Sequence, residues 1–415
     1  MKRLAPLAVV ALVLGLFALV SPVSAMEICA GKTVTVDLNK GQSPTNGDDV
    51  VKGTPGDDVI NGLAGDDSIC GEGGDDQIEG GPGNDTLDGG NGSDTLSGSD
   101  GNDTLRGSFQ GDTLSGGLGN DKVVGGGGVD TLNGDNGHDE IIGGLGGDII
   151  NGGNGNDIIS ANGGPDVING GNGNDDIDGG GGDDIIEGRS GDDQLKGGAG
   201  NGADDIDGGK GSDTIRGGQG DDVLRGGSEA DTMYGAEGND DLDGQGGRDT
   251  VFGDEGDDTV KGGGSADAVH GAEGNDTVSG NGGNDSVFGG RGDDMLDGGN
   301  GNDQVFGLED KDILVGGPGD DLLNSGRGND SVQGDAGDDS INGGIGRDIL
   351  DGGDGDDLIE GSHGVDTIGG GAGNDTISGG AGNDAMDGGP DTDSCNGGSG
   401  TDTATAECEV KVNVP

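Results

Sequence analysis

One aspartate recurs every nine residues along most of this chain. It stands at Asp49, Asp58, Asp67, Asp76, Asp85, Asp94, Asp103, Asp112, Asp121, Asp130, Asp139, Asp148, Asp157, Asp166, Asp175, Asp184 and Asp193. It continues at Asp204, Asp213, Asp222, Asp231, Asp240, Asp249, Asp258, Asp267, Asp276, Asp285, Asp294 and Asp303. The series closes with Asp312, Asp321, Asp330, Asp339, Asp348, Asp357, Asp366, Asp375, Asp384, Asp393 and Asp402. A carboxylate at a fixed place beside glycines, whose backbone carbonyls are accessible, is a hard-oxygen donor set, and its chemistry is cation coordination. Two such carboxylates brought together without a cation repel strongly. Calcium takes about six to eight oxygens in flexible geometry, whereas magnesium demands tighter octahedral order. No His or Cys cluster is present for a softer metal.

The elements that position these carboxylates are equally regular. Cut every nine residues from Pro44, the chain yields an unbroken frame to Lys196. An eleven-residue unit follows, Gly197 to Asp207, with an insertion near 201–202, and the frame then resumes from Gly208 to Thr405. Of 40 units, all carry Asp at position 6, and 38 carry Val, Ile, Leu or Met at position 8. The last two have Cys395 and Ala404 there instead. Glycine holds position 1 in all but three units and position 4 in all but five. The first six residues read as a glycine turn. The last three read as a short strand whose middle side chain points inward. One aliphatic residue in nine is enough if the core is a thin stacked row rather than a globule.

Composition explains why a cation is needed. Among 415 residues, 83 are Asp or Glu, 19 are Lys or Arg, and 109 are Gly; aromatic residues make up 1% and the formal net charge is -64. Low hydrophobicity with high net charge is the signature of disorder. Ordering the backbone costs roughly 1–2 kcal/mol per residue, and so few apolar side chains do not offset it. The charge also argues against nucleic acid and against anionic membranes as partners.

The first 25 residues differ. Lys2 and Arg3 precede an apolar run from Leu4 to Val20, followed by Ser21-Pro22-Val23-Ser24-Ala25. This reads as a secretory signal peptide cleaved after Ala25, and the run is at the short limit for a membrane span. Its removal takes the net charge from -64 to -66. The expected setting is secreted and extracellular, where disulfides persist.

The phrase G-G-x-G-x-D-x-U-x, with U aliphatic, resembles the calcium-binding nonapeptide of RTX (repeats-in-toxin) proteins. It is written, for example, in GGPGNDTLDGGNGSDTLSG from Gly80 to Gly98. The resemblance spans 44–405 and implies an all-β fold: a right-handed parallel β-roll, a β-helix solenoid with two nonapeptides per turn and about 20 turns. It also implies Ca2+ held between the loops of repeats n and n+2 by position-6 aspartates and loop carbonyls. Asp85 would then pair with Asp103, and Asp94 with Asp112. Such a rod is roughly 95 Å long at the usual strand spacing. Each of its two loop columns has 19 gaps, giving at most 38 inter-loop sites. The loops starting at Gly107, Gly226, Gly262, Gly307 and Gly388 lack the position-4 glycine, and Ala161 replaces the first glycine of its loop; these sites should be weaker. The insertion should bulge its loop and interrupt one column.

The rod implied by the resemblance also constrains the cysteines. Cys70 and Cys395 would lie about 18 turns apart, so only Cys29–Cys70 with Cys395–Cys408 brings partners within disulfide reach. Each pair would pin a cap, 26–43 at one end and 406–415 at the other. Thr33 to Leu38 and Glu409 to Val414 alternate like strands. Tyr234, Phe252, His270, Phe288 and Phe306 all hold position 9 at a spacing of 18, so they should stack on one outer face. That ladder either stiffens a sheet or offers a docking strip to a protein, a second copy or a glycan.

Other signals are weaker. Loose G-x-G-x-x-G matches lack the helix that nucleotide binding needs. His138, His270 and His363 read as isolated surface histidines, Asn-Asp-Thr sequons fall out of the repeat, and paired carboxylates such as Asp57-Asp58 have no nucleophile beside them. The chain is therefore read as a secreted, non-enzymatic calcium-binding solenoid of the matrix or cell surface. The alternative is the repeat module of a toxin or exported enzyme. Ice binding ranks low because position 3 is never Thr; an acidic polymer that nucleates mineral is the remaining reading.

Overall fold

The computed structural model describes residues 32, 34–405, 408 and 410–412. The expected signal peptide and Cys29 lie outside them, as do parts of both expected caps.

The nonapeptides form stacked coils, each contributing one strand to each of two parallel sheets. Every strand pairs with the strand one coil further on. Leu87 lies opposite Leu105, and Leu96 opposite Leu114, a register of 18 residues. Across the insertion the register becomes 20, with Ile186 opposite Ile206 and Leu195 opposite Ile215.

Most strands have six residues rather than the expected three. Thr86–Asn91 and Thr95–Asp100 run from position 7 of one unit through position 3 of the next. The reason lies in the period of two. Positions 6, 8 and 1 alternate onto one face, so Asp85, Leu87 and Gly89 are all buried, as are Asp94, Leu96 and Gly98. The first glycine therefore belongs to the strand and not to the turn. Toward the C-terminal end several strands break into shorter pieces, such as Ser340–Asn342 and Ile345–Gly346.

The core is two rows of aliphatic side chains, one per sheet, running from Val51 and Ile60 to Ile377 and Met386. Val36 closes one end. Among the described residues of the N-terminal segment, only Val36–Asp37 is strand, paired with Val51–Lys52, and Leu38–Lys40 is a 3-10 turn stopped by Gly41. At the other end Cys395 takes the aliphatic position and is bonded to Cys408, with Cα atoms 5.8 Å apart; both are buried. Val410–Val412 adds a final parallel strand beside Ser394–Asn396. Cys70 is disulfide-bonded as well.

Candidate metal centre

The position-6 carboxylates sit on the core side of the coil. All but Asp58 are among the buried polar side chains. Their Oδ1 atoms have a backbone role that the repeat pattern does not reveal. From Asp67 and Asp76 onward each accepts the N–H of the equivalent aspartate one coil earlier: Asp67 N–H donates to Asp85 at 2.7 Å, Asp85 N–H to Asp103 at 2.7 Å and Asp94 N–H to Asp112 at 2.8 Å. The aspartates expected to share sites are therefore brought together, at a separation of one coil. The insertion does not interrupt the column. Asp184 N–H reaches Asp204 and Asp204 N–H reaches Asp222, both at 2.8 Å, because the two extra residues are accommodated in the loop before Asp204.

The second oxygen is different. Among the described residues, the Oδ2 of every position-6 aspartate except Asp49, Asp58 and Asp204 is buried without a hydrogen-bond partner. An unmatched buried acceptor is costly, and one repeated in nearly every loop needs a common explanation. Its surroundings supply one. A Cβ on Gly98 would collide with Asp103 Oδ2 and would lie 2.6 Å from the Gly116 carbonyl of the next coil. The carboxylate and that carbonyl thus face one small space with no donor between them. The glycine at position 1 keeps the space open.

Positions 2 and 4 adopt positive φ in most loops. Gly83, Gly101 and Gly119 have φ of 152°, 142° and 125°, and each sits directly over the position-4 carbonyl of the coil before, where a Cβ would collide. The loops without glycine at position 4 force Gln110, Glu229, Ser265, Asp310 and Asp391 into the same left-handed region, at φ from 73° to 137°. That strain is a physical basis for their expected weakness. Ala161 is accommodated as a buried residue. Ser325, a second exception at position 1, donates its hydroxyl to the Gly343 carbonyl at 2.7 Å.

Burial is the largest cause that pushes these carboxyls up, opposed by the N–H bond and reinforced by neighbouring aspartates. Asp103 and Asp112 rise to about 7 and Asp312 to about 8. Asp76 rises to about 6. The groups are held ready for a proton or a cation. No three carboxylate, imidazole or thiolate groups gather among the described residues. The available donors are one carboxylate per loop plus main-chain carbonyls, all hard oxygen, and they fit calcium.

A second ladder was hidden at position 5. Asn102 N–H donates to Asn84 Oδ1 at 2.8 Å, and Asn120 N–H to Asn102 at 2.7 Å. His138 is a rung of it, not an isolated histidine: Asn156 N–H donates to its Nδ1 at 2.7 Å. The recurrence of Asn and Asp at position 5 in an 18-residue register was the available signal. His363 is exposed, as expected. His270 is enclosed in the aromatic stack, and burial lowers its pKa.

The rings of Tyr234, Phe252, His270, Phe288 and Phe306 are 5.2, 4.6, 4.5 and 5.1 Å apart and nearly parallel. The Arg216 guanidinium covers the outer face of Tyr234 at 4.6 Å. Ring faces are used against one another, as sheet stiffening requires, and the edges face outward.

Comparison with curated proteins returns no match. The family model of the RTX calcium-binding nonapeptide repeat matches in overlapping segments from 44–78 to 369–404, without a gap between the first and the last. The chain belongs to the RTX calcium-binding nonapeptide repeat family.

Proposed function

We propose that this protein is a secreted, non-enzymatic calcium rod that folds as it binds its ions and acts as a structural or adhesive element of the extracellular matrix or cell surface. The observation that carries the reading is the run of buried, unmatched Oδ2 atoms in both loop columns. Bound calcium supplies positive charge in the gaps between coils. The chain's own residues do the rest: position-6 carboxylates and loop carbonyls offer oxygens, position-1 glycines keep the gap open, and the Oδ1 ladder sets the coil spacing. A chain of net charge -64 with this little core should be expanded without the ions, so binding and folding are coupled. Such coupling suits export, because the chain stays unfolded where calcium is scarce. A partner at the Tyr234–Phe306 strip would meet ring edges, which suits a protein surface better than a sugar ring. The same physics would serve a toxin's repeat module.

Circular dichroism in calcium and in excess chelator tests the reading. A strand signal that appears only with calcium is expected. An unchanged strand signal in chelator would sink it.

A further inference from the structure

The first loop of each column, 44–49 and 53–58, is built unlike the rest. Elsewhere position 2 is left-handed in every loop and position 4 in most, yet Thr45, Gly47, Thr54 and Gly56 are all outside that region. The carboxylates differ too. Thr45 N–H donates to Asp49 Oδ2 at 2.7 Å, and Thr54 N–H donates to Asp58 Oδ2 at 2.6 Å. The Thr45 hydroxyl adds a second contact to Asp49 Oδ2 at 3.0 Å, and the Thr35 hydroxyl from the cap reaches Asp49 Oδ1 at 3.1 Å. These are two of the three position-6 aspartates whose Oδ2 is not an orphan.

The carbonyls tell the same story independently. In regular loops the position-4 oxygen points along the rod at the next coil: the nearest atom to a Cβ on Gly83 is Gly65 O, and to one on Gly92 it is Gly74 O. Above the first loops this is lost. The nearest atoms to a Cβ on Gly65 are Asp48 N and Gly47 C, and to one on Gly74 they are Asp57 N and Gly56 C. The oxygens of Gly47 and Gly56 have turned away from the gap.

We infer that the loops 44–49 and 53–58 take no calcium and form a metal-independent cap, so that the cation columns begin at the loops 62–67 and 71–76. The carboxylate oxygen that would face the ion is already satisfied by a backbone N–H, and the position-4 carbonyl of the same loop is turned away, although Gly71 O still stands beside Asp58 Oδ2. Binding there would have to break the first and rotate the second. The ceiling on inter-loop sites falls from 38 to 36. The cause is local. No nonapeptide precedes them in either column, so no earlier repeat loop holds a left-handed ladder and Thr at position 2 closes on its own aspartate.

This inference rests on the calcium reading above, and one experiment separates the two. The full secreted chain is crystallised with calcium replaced by terbium, and anomalous peaks are located. Peaks are expected from the gap between 62–67 and 80–85 onward in one column, and between 71–76 and 89–94 onward in the other. A peak between 44–49 and 62–67, or between 53–58 and 71–76, overturns the inference. A chain that binds no terbium anywhere overturns the calcium reading itself. In solution, Asp58→Asn should leave the calcium midpoint of folding within about twofold of wild type, while Asp94→Asn raises it severalfold. Equal shifts for the two variants would also overturn the inference.

Discussion

Replacing Asp222, Asp240, Asp258 and Asp276 together by Asn should stabilise the roll without calcium and shrink the stability that calcium adds. These four follow one another in a single column, linked by N–H to Oδ1 bonds of 2.8 to 2.9 Å. Asn keeps the Oδ1 acceptor, so the ladder survives. It replaces the orphaned Oδ2 by an N–H donor. A Cβ on Gly235 would collide with Asp240 Oδ2 and lie 2.6 Å from the Gly253 carbonyl, so the new donor faces a carbonyl oxygen across that gap. Removing one unmatched buried acceptor is worth about 1–3 kcal/mol, so the metal-free roll gains about 4–12 kcal/mol from four. With calcium at about a hundred times its dissociation constant, each lost ion forfeits about 2.7 kcal/mol, or roughly 11 kcal/mol for four. Urea unfolding followed by circular dichroism, in chelator and in saturating calcium, reads both arms. The variant should be more ordered than wild type in chelator, and its urea midpoint should rise less on adding calcium. A variant whose urea midpoint rises on adding calcium as much as that of wild type would refute the ligand role. One less ordered in chelator would refute the reasoning about Oδ2.

The metal-free chain should gain order as pH falls. Burial raises the position-6 carboxyls in the folded state, to about 7 for Asp240 and about 6 for Asp258 and Asp276. The folded chain then binds more protons than the unfolded one. The contribution is fully present below the ordinary carboxylate value near 3.8 and is lost as pH rises through 6 to 7; a pH titration of the strand signal in chelator should show that slope, and a flat profile would contradict it. Changing Phe252, Phe288 and Phe306 to Ser removes the ring stack and should cost about 0.5–1.5 kcal/mol per pair lost, read as a lower urea midpoint in calcium with the number of bound ions unchanged; an unchanged midpoint would leave the ladder to partner binding. Replacing Cys395 and Cys408 by Ala opens a loop of separation 13 and should cost about 3 kcal/mol, with faster hydrogen exchange confined to the last coils.

Much of this molecule was legible because every unit repeats the same instruction. Asp at position 6 and an aliphatic at position 8 announced a one-residue-deep core with a cation at its edge, and the structure buries Leu87 and Asp85 accordingly. The Cys395–Cys408 pair followed from the impossibility of joining opposite ends of a rod. Three things were not legible. Gly89 was read as turn but lies in a strand, because alternation carries the inward face past position 9. His138 was read as isolated but stands in a ladder whose rungs are 18 residues apart. Asp49 and Asp58 match every other repeat by residue type, yet their loops close differently because no earlier repeat precedes them in their columns.

By itself the sequence determined the nine-residue frame, the acid excess that a thin core cannot overcome, and hence the need for an external positive charge. Those are properties of each unit and of the sum of units. Only the tertiary structure decided what each carboxylate oxygen does. Parallel pairing places residues 18 apart in contact, and that contact assigns one oxygen to a neighbouring N–H and strands the other beside a carbonyl. The end of the stack, where the neighbour is missing, is where identical chemistry gives a different site.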